Sequence, residues 1–277
     1  MKDNNKIVKD FGLEWEKFNQ IDLKNTESQN IFEDYFDLIE WKNLNLKGHA
    51  IDLGCGTGRW ARLVAPKFKQ MSLLDGSDKS INVAKKMLSN HKNIKFVHAD
   101  LKNIPSEDNA YDFAYSLGVL HHVPNVNKAL KEINRILKPG SPFLIYLYYS
   151  FDKAPYWYRL IWNASNLFRK MICKLPKNFK MIICEIIALL VYLPLARTSL
   201  LLEKMKVDIS YMPLSYYRNK SFYTMRTDSL DRFGTTYEKR YSKMEIEQLL
   251  LSQGFNSVKF SDKKPYWCAI AYKNKVS

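Results

Sequence analysis

The sequence around Asp52 combines residue types and spacing that suit the binding of a small ligand. Apolar residues up to Leu53 predict a strand, and glycines at positions 54, 56 and 58 predict a tight turn that opens a helix. Glycine lacks the Cβ atom that would keep a ligand away from the backbone, and the first N–H groups of a helix have no partner within the helix. The dinucleotide pattern G-x-G-x-x-G needs its third glycine at position 59, where this chain has Arg59. The turn therefore predicts a ligand site that does not satisfy the dinucleotide fingerprint.

Alternating strand and helix patterns predict an α/β fold: a Rossmann-like, seven-stranded, mostly parallel sheet with helices on both faces. The strands predicted between residues 48 and 150 are apolar on both faces, as in parallel sheets that helices cover on both sides. The predicted strands are residues 49–53, 71–74, 94–97, 113–116 and 143–149, and the predicted helices among them are residues 59–68, 80–89 and 126–137. A helix at 242–253, with Ser242 and Glu245 as a capping box, then precedes strands at 257–261 and 266–272.

Residues 151–240 interrupt this alternation. They contain 16 Lys and Arg against 7 Asp and Glu, a net charge of +9, and 15 of the 38 aromatic residues. This segment is too apolar for a disordered linker and predicts a largely helical cap inserted after strand five. The predicted domains are N-terminal helices in 1–47, a Rossmann-like domain in 48–150 and 241–277, and the basic, aromatic-rich cap in 151–240.

The N-terminal segment carries a helical pattern of aromatic residues. Phe11, Trp15 and Phe18 fall at i, i+4 and i+7. Such a helix packs on the sheet or closes over a ligand. For Trp15 we favour core packing over ligand contact.

Five pieces of the sequence, in order, resemble class I S-adenosylmethionine-dependent methyltransferases. The resemblance covers roughly residues 48–150, and residues 242–272 fit the closing helix and antiparallel strand pair of that family. The five pieces are Asp52–Gly58, Asp75, Ala99-Asp100, Ser116–His122 and Leu137–Gly140. Looser pieces, at residues 11–15, 146–149 and 231–235, are similar to a bacterial group of such enzymes, which we take as the small-molecule type.

The resemblance implies S-adenosylmethionine as the cofactor and a binding site at the carboxyl ends of the strands. Asp52 would face the ammonium group, Asp75 would accept both ribose hydroxyl hydrogens, and Asp100 would accept from the adenine amine. The complete set of implied cofactor-binding residues is Asp52, Gly54, Cys55, Gly56, Gly58, Asp75, Gly76, Asp100, Leu101, Ser116, Leu117 and Gly118. Neither the residues nor the resemblance implies a metal site.

The resemblance also implies in-line attack by an acceptor nucleophile on the sulfonium methyl group, with the protein supplying alignment and, where needed, a base. His121 and His122 are candidate bases because histidine titrates near neutral pH; a core or helix-end role for either stays open. The loop after strand four, residues 116–124, lacks the Asn/Asp-Pro-Pro-Tyr/Phe sequence of the family members that methylate amino groups, which disfavours an adenine or glutamine nitrogen as acceptor.

Aromatic and arginine side chains are candidates for binding the acceptor, and a structural role for each is an equal alternative. These candidates are Tyr148, Tyr149, Tyr217, Arg218, Tyr223 and Arg226.

Composition narrows the partners and the compartment. The net charge of +15 favours anionic partners such as nucleic acid, an anionic membrane surface or an acidic small molecule, although a basic protein without any polyanionic partner is an equal alternative. Four cysteines without paired spacing, and no signal-peptide pattern, predict a reduced, cytoplasmic setting. The apolar stretch 181–202 is interrupted by Glu185, Pro194 and Arg197, which disfavours a spanning helix and favours a buried or lipid-contacting one.

The sequence therefore predicts methyl transfer to a small-molecule or lipid-linked acceptor, with an acidic acceptor and peripheral membrane contact through the cap left open. An RNA methyltransferase is the first alternative, resting on charge alone because no RNA-binding module is recognisable. A non-catalytic S-adenosylmethionine-binding protein is the second. The acceptor atom and the oligomeric state stay open.

Overall fold

The computed structural model describes residues 2–20, 23–151 and 154–275. The chain divides into two compact units. The sheet unit comprises Met1–Ile21, Gln29–Ser150 and Tyr237–Ser277, and the helical unit comprises Asp22–Ser28 and Phe151–Thr236. The domain limits predicted from the sequence stay a prediction.

The sheet unit is built on one seven-stranded sheet with the order β3-β2-β1-β4-β5-β7-β6. Strands β1 to β5 are parallel, and β7 runs antiparallel to both of its neighbours, β5 and β6. The fold class predicted from the sequence is confirmed. The strands are β1 His49–Leu53, β2 Gln70–Asp75, β3 Ile94–His98, β4 Phe113–Leu117, β5 Pro142–Tyr146, β6 Phe255–Phe260 and β7 Cys268–Lys273.

Six α-helices accompany the sheet in the described residues, and their starts follow capping chemistry. Ser77, Asn125 and Ser242 each accept a backbone N–H three residues on, and Ser242 with Glu245 completes the predicted capping box. The helices are α1 Lys2–Lys17, α2 Asn25–Phe36, α3 Ala61–Val64, α4 Asp78–Met87, α5 Val126–Ile136 and α10 Lys243–Ser252.

Two predicted elements are shorter in the structure. The helix predicted over 59–68 is α-helical only at α3 and continues as a 3₁₀ turn, Ala65–Lys67; Pro66 has no N–H to continue the α-helical bonding. The strand predicted over 143–149 ends at Tyr146. Beyond it the backbone pairs with Tyr241, whose N–H donates to the Tyr148 carbonyl and whose carbonyl accepts from the N–H of Ser150.

The sheet unit has an apolar core on each face of the sheet. One core joins α2, α3 and α4 to the strands and is rich in aromatic rings, including Phe32, Phe36, Trp60 and Tyr115. The other joins α5 and α10 to the opposite face. Because residues alternate sides along each strand, β1 contributes Ala50 to the first core and Ile51 and Leu53 to the second.

The helical unit contains the helices predicted after strand five: α6 Tyr156–Ile172, α7 Lys177–Ile187, α8 Leu193–Lys204 and α9 Phe222–Gly234. A π-helical turn, Ala188–Tyr192, joins α7 to α8. Together these form a continuous helix, Lys177–Lys204, of 28 residues, which by length and composition is apolar enough to cross a membrane. It contains the stretch 181–202 for which the sequence disfavoured spanning.

Candidate functional site

The glycine turn after β1 has the backbone geometry that its sequence predicts. Gly54, Gly56 and Gly58 have φ values of +83°, +53° and +76°, a region that other residues rarely adopt. A Cβ atom on Gly54 would lie 2.5 Å from the Val119 side chain. One on Gly58 would lie 2.6 Å from Leu88. The turn is thus shaped by glycine and has no space for a side chain at either position.

Asp75 lies at the carboxyl end of β2, as predicted, and its carboxylate is fixed against the glycine turn. One oxygen accepts from the N–H of Gly56 at 2.9 Å, and the other accepts from the N–H of Ser77 at 2.8 Å. Burial raises the pKa of this carboxyl group, and the two backbone donors partly oppose the rise. Each carboxylate oxygen retains a second lone pair, so the pair can still accept two hydroxyl hydrogens.

Asp52 is buried near the end of β1, where Oδ2 accepts the Tyr115 hydroxyl at 2.9 Å. Burial raises the pKa of Asp52 to about 8, with the negative charge of Asp75 adding to the rise and the Tyr115 hydroxyl and Arg59 opposing it. A cationic ligand group beside Asp52 would favour the ionised form. The site is therefore electrostatically suited to an ammonium group.

The other predicted cofactor residues are of two kinds: glycines, which could offer only their backbone to a ligand, and residues whose side chains are buried or already paired within the protein. Gly118 has φ +77°, and a Cβ atom there would lie 4.0 Å from the Tyr146 ring, whereas one on Gly76 would lie 3.4 Å from Val8. Asp100 is partly exposed and holds Lys102, with Oδ2 at 3.2 Å from Nζ. The Ser116 hydroxyl donates to the Leu53 carbonyl at 2.9 Å, so this side chain ties β4 to β1. Cys55, Leu101 and Leu117 are buried.

Helix α1 lies over the glycine turn and the neighbouring strand ends. The Trp15 indole lies 3.1 Å from the Cβ position of Gly56, and the Arg59 guanidinium lies 5.9 Å from the Trp15 ring. Val8 approaches Gly76, and the Phe11 ring lies 4.8 Å from the His122 ring. The helical spacing of Phe11 and Trp15 predicted the helix; which loops it covers is a matter of tertiary packing.

His121 and His122 meet Tyr148 beyond the ends of β4 and β5. The His121 ring stacks on the Tyr148 ring at 3.7 Å between centroids, and His122 lies 4.0 Å from His121. His122 Nδ1 donates to the Tyr237 carbonyl at 2.7 Å, since a carbonyl can only accept. The neutral form of His122 therefore carries its lone pair on Nε2.

His121 is fully buried, and neither of its ring nitrogens has a hydrogen-bond partner among the described residues. Burial lowers the pKa of His121 well below its ordinary value, and the charges of His122 and Arg240 lower it further. Arg240 was not identified from the sequence. Its guanidinium lies 5.1 Å from the Tyr148 ring and pairs with Glu238 at 2.7 Å.

The remaining predicted acceptor residues lie in both units. Tyr149 belongs to the sheet unit. In the helical unit, Arg226 forms a bidentate pair with Glu185 at 2.5 and 2.8 Å, and Arg218 forms one with Glu203 at 2.7 and 2.8 Å. Tyr217 is close to Tyr192, and Tyr223 lies on α9, where its carbonyl accepts the Thr227 hydroxyl. Acceptor binding by these residues stays a prediction.

The described residues fit S-adenosylmethionine better than a metal ion. No group of three or more His, Cys, Asp or Glu in the described part of the chain is placed to hold a metal. The glycine turn, the Asp75 carboxylate and the buried Asp52 instead provide close backbone approach, hydroxyl acceptors and a partner for an ammonium group.

Comparison with known proteins supports this assignment. The model of the methyltransferase domain family matches residues 51–145. Demethylmenaquinone methyltransferases of Staphylococcus aureus strains JH9 and Newman are 38% identical over 96 residues, covering 33% of this chain and 39% of theirs. The chain thus matches about two fifths of the length of these curated relatives.

Two solved structures share the fold over most of the chain. Human N-acetylserotonin methyltransferase, in complex with S-adenosylmethionine, has a TM-score of 0.51 at 15% identity, covering 88% of this chain and 52% of its own. A Bacillus halodurans protein assigned as a methyltransferase also has a TM-score of 0.51 at 15% identity, covering 82% and 70%. At these identities the likeness concerns the fold alone. The family match and the site geometry instead support a class I S-adenosylmethionine-dependent methyltransferase domain over residues 51–145.

Proposed function

We propose that the protein transfers the methyl group of S-adenosylmethionine to a small-molecule or lipid-linked acceptor. The observation that carries this proposal is the glycine turn held against Asp75 and Asp52 at the ends of adjacent parallel strands. S-adenosylmethionine, when bound, supplies an electrophilic methyl group on a sulfonium centre. The residues of the chain bind and orient: Asp75 accepts from the ribose hydroxyls, Asp52 faces the ammonium group, and Asp100 accepts from the adenine amine.

The cluster beyond β4 and β5 provides the proton chemistry of this proposal. An acceptor hydroxyl must lose its proton as it attacks the methyl group. His122 is the better-placed base because its Nδ1 hydrogen is held by the Tyr237 carbonyl, which leaves the lone pair on Nε2. His121 is a poorer base because burial lowers its pKa well below the ordinary value. Its role in the proposal is to position Tyr148 by stacking.

A reduced, hydroquinone-like acceptor is the form of this proposal that the relatives favour, because its ring hydroxyl has the proton that the base removes. The matched Staphylococcus aureus enzymes are named for demethylmenaquinone. The match covers 96 residues, 33% of this chain and 39% of those enzymes, so the acceptor class is transferred here as a proposal only. An aromatic, amphiphilic acceptor agrees with the aromatic ring of Tyr148 near the candidate base.

The test is methyl transfer from S-adenosylmethionine carrying a labelled methyl group to a panel of acceptors. We expect label in phenolic or hydroquinone-like small molecules, or in an organic extract of cells, and none in tRNA. The Asp75→Ala variant should lose the labelling, while Asp78→Ala, a change at an exposed carboxylate on the next helix, should retain it. Labelling of tRNA would overturn the proposal in favour of the RNA alternative. Cofactor binding without label in any acceptor would favour the non-catalytic alternative.

A further inference from the structure

The long helix of the helical unit has small and hydrogen-bonded side chains on its inward face and large apolar side chains on its outward face. Only 28% of its most apolar window, with a mean hydropathy of 2.1, is buried inside the protein. Helices on the surface of soluble proteins show the opposite arrangement, with the apolar stripe facing the core. Continuous apolar surface that stays exposed marks an interaction site.

The inward face consists of small or hydrogen-bonded residues at helical spacing. Lys180 Nζ donates to the Gly234 carbonyl at 3.0 Å, and the Tyr192 hydroxyl donates to Asp228 at 2.8 Å. Beside them, Arg226 of α9 pairs with Glu185. The other buried positions on this face are Cys184, Ala188, Ala196 and Ser199. The first part of the helix, α7 and the π-helical turn, thus packs on α9 with polar contacts, and α8 packs on the 3₁₀ turn Ser215–Asn219.

The outward face is a row of large apolar side chains. Phe179, Leu190 and Leu201 are 63%, 67% and 61% exposed. Between them, the same face presents Ile182, Ile186 and Leu189, all exposed. At 1.5 Å per residue, the row from Phe179 to Leu201 is about 33 Å long. Helix α6 also packs against α9 and presents a second exposed apolar row: Trp157, Leu160, Ile161, Phe168 and Met171.

Positive charges flank these rows. Lys170, Lys174 and Lys177 are exposed around the connection from α6 to α7, and Lys204 and Lys206 are exposed at the end of α8. From Tyr156 to Lys204 the chain has two acidic residues, Glu185 and Glu203, and each pairs with an arginine. Lysines beside an apolar face match the anionic head groups of a lipid surface, where they extend toward the phosphates.

We propose that the outward faces of α6 and of Lys177–Lys204 dock the protein on an anionic lipid bilayer, with the helices lying in the interface. A spanning arrangement would carry the Glu185–Arg226 pair and Lys180 into the hydrocarbon or break the contacts with α9. A second copy of the chain would bring a second set of lysines against the first, which charge complementarity disfavours. This inference does not depend on the proposed function, since binding to lipid is measured without cofactor or acceptor.

The experiment is flotation of the full-length protein with vesicles of neutral phosphatidylcholine, alone or with about 30% phosphatidylglycerol, an anionic lipid. We expect binding to the anionic vesicles at least about tenfold tighter than to the neutral ones, and release by alkaline carbonate. The Phe179→Glu/Leu190→Glu variant should lose at least about tenfold in affinity for anionic vesicles. The control is Met244→Glu/Leu251→Glu, two exposed apolar residues of α10, which should bind as the unchanged protein does.

A charge variant tests the second part of the proposal. Lys174→Glu/Lys177→Glu should weaken binding to anionic vesicles and leave binding to neutral ones unchanged, whereas Lys47→Glu/Lys92→Glu should change neither. Circular dichroism of each variant verifies folding.

Absence of vesicle binding, equal loss in the α10 control, or resistance to carbonate extraction would each overturn interfacial docking. So would a concentration-dependent dimer that Phe179→Glu/Leu190→Glu dissociates without any change in vesicle binding. Loss of methyl transfer with retained vesicle binding would instead count only against the proposed function.

Discussion

Replacing Asp52 by asparagine should stabilise the cofactor-free protein at alkaline pH while weakening its affinity for S-adenosylmethionine. Burial raises the pKa of Asp52 from 3.8 to about 8. A carboxyl group whose pKa is higher in the folded state holds its proton more tightly there, so the stability it contributes is present at low pH. That stability is lost as pH rises from the unfolded pKa to the folded one. The contribution of Asp52 to stability is therefore lowest above about pH 8.

The magnitude follows from the shift. The reference is acid pH, where the Asp52 carboxyl is protonated in both the folded and the unfolded state. At 1.36 kcal/mol per pKa unit, its ionisation lowers the free energy of unfolding by at most roughly 3 kcal/mol at about pH 6 and by at most roughly 6 kcal/mol at about pH 9. The asparagine side chain has no charge to desolvate, and its amide oxygen can still accept the Tyr115 hydroxyl. We therefore expect the melting temperature of Asp52→Asn to exceed that of the unchanged protein by several degrees at about pH 9, and by less at about pH 6.

The assay is thermal unfolding of cofactor-free protein followed by circular dichroism at both pH values. Asp112→Asn is the matched control, because Asp112 is also buried but accepts from Lys138 Nζ and the His49 N–H, and its pKa is lowered. Its contribution is stabilising above the unfolded pKa of 3.8, so Asp112→Asn should lower the melting temperature at both pH values. A melting temperature of Asp52→Asn that is unchanged or lower at about pH 9 would refute the reasoning.

Three further predictions concern the same unit. Asp75→Ala should weaken S-adenosylmethionine binding by more than about tenfold, or at least ~1.4 kcal/mol, measured by calorimetry; an unchanged affinity would contradict the assignment. Gly58→Ala should lower the free energy of unfolding by about 1–3 kcal/mol, measured with urea, because its φ is +76° and an added Cβ atom would lie 2.6 Å from Leu88; a stabilising effect would contradict the geometry. His122→Gln should lower kcat at least about tenfold with unchanged cofactor affinity, and rescue of kcat at high pH would support its role as a base; an unchanged kcat would exclude that role.

Local sequence signals were sufficient for most of the sheet unit. The strand His49–Leu53 was predicted with the bounds that the structure has, because apolar residues end where the glycines begin. The capping box of Ser242 and Glu245 was likewise a local pattern. The helix predicted over 59–68 was too long because Pro66 lacks the N–H that would continue the α-helical hydrogen bonds. The apolar pattern on either side of Pro66 had indicated one uninterrupted helix.

The contacts that tune the site could not be predicted, because they join residues far apart in the sequence. Tyr115 and Asp52 are 63 positions apart, and their hydrogen bond depends on the pairing of β4 with β1. Trp15 covers Gly56 only through the packing of α1 over the strand ends. Arg240 reaches Tyr148 because the chain returns beside β5 after the helical unit, and no motif marks that arginine.

The outward apolar face of Lys177–Lys204 shows a further limit of sequence patterns. Its composition predicted a buried or lipid-contacting helix, but not which side would be inward. The structure turns Lys180, Cys184 and Tyr192 inward, because α9 offers polar partners to that side. The choice of face thus depends on tertiary partners.

The most direct test of the central claim is calorimetric titration of the purified, cofactor-free protein with S-adenosylmethionine, and with ATP and NAD as controls. The geometry of the glycine turn, Asp75 and Asp52 predicts micromolar binding of S-adenosylmethionine alone. Absence of that binding, or equal binding of ATP or NAD, would contradict the assignment of this site.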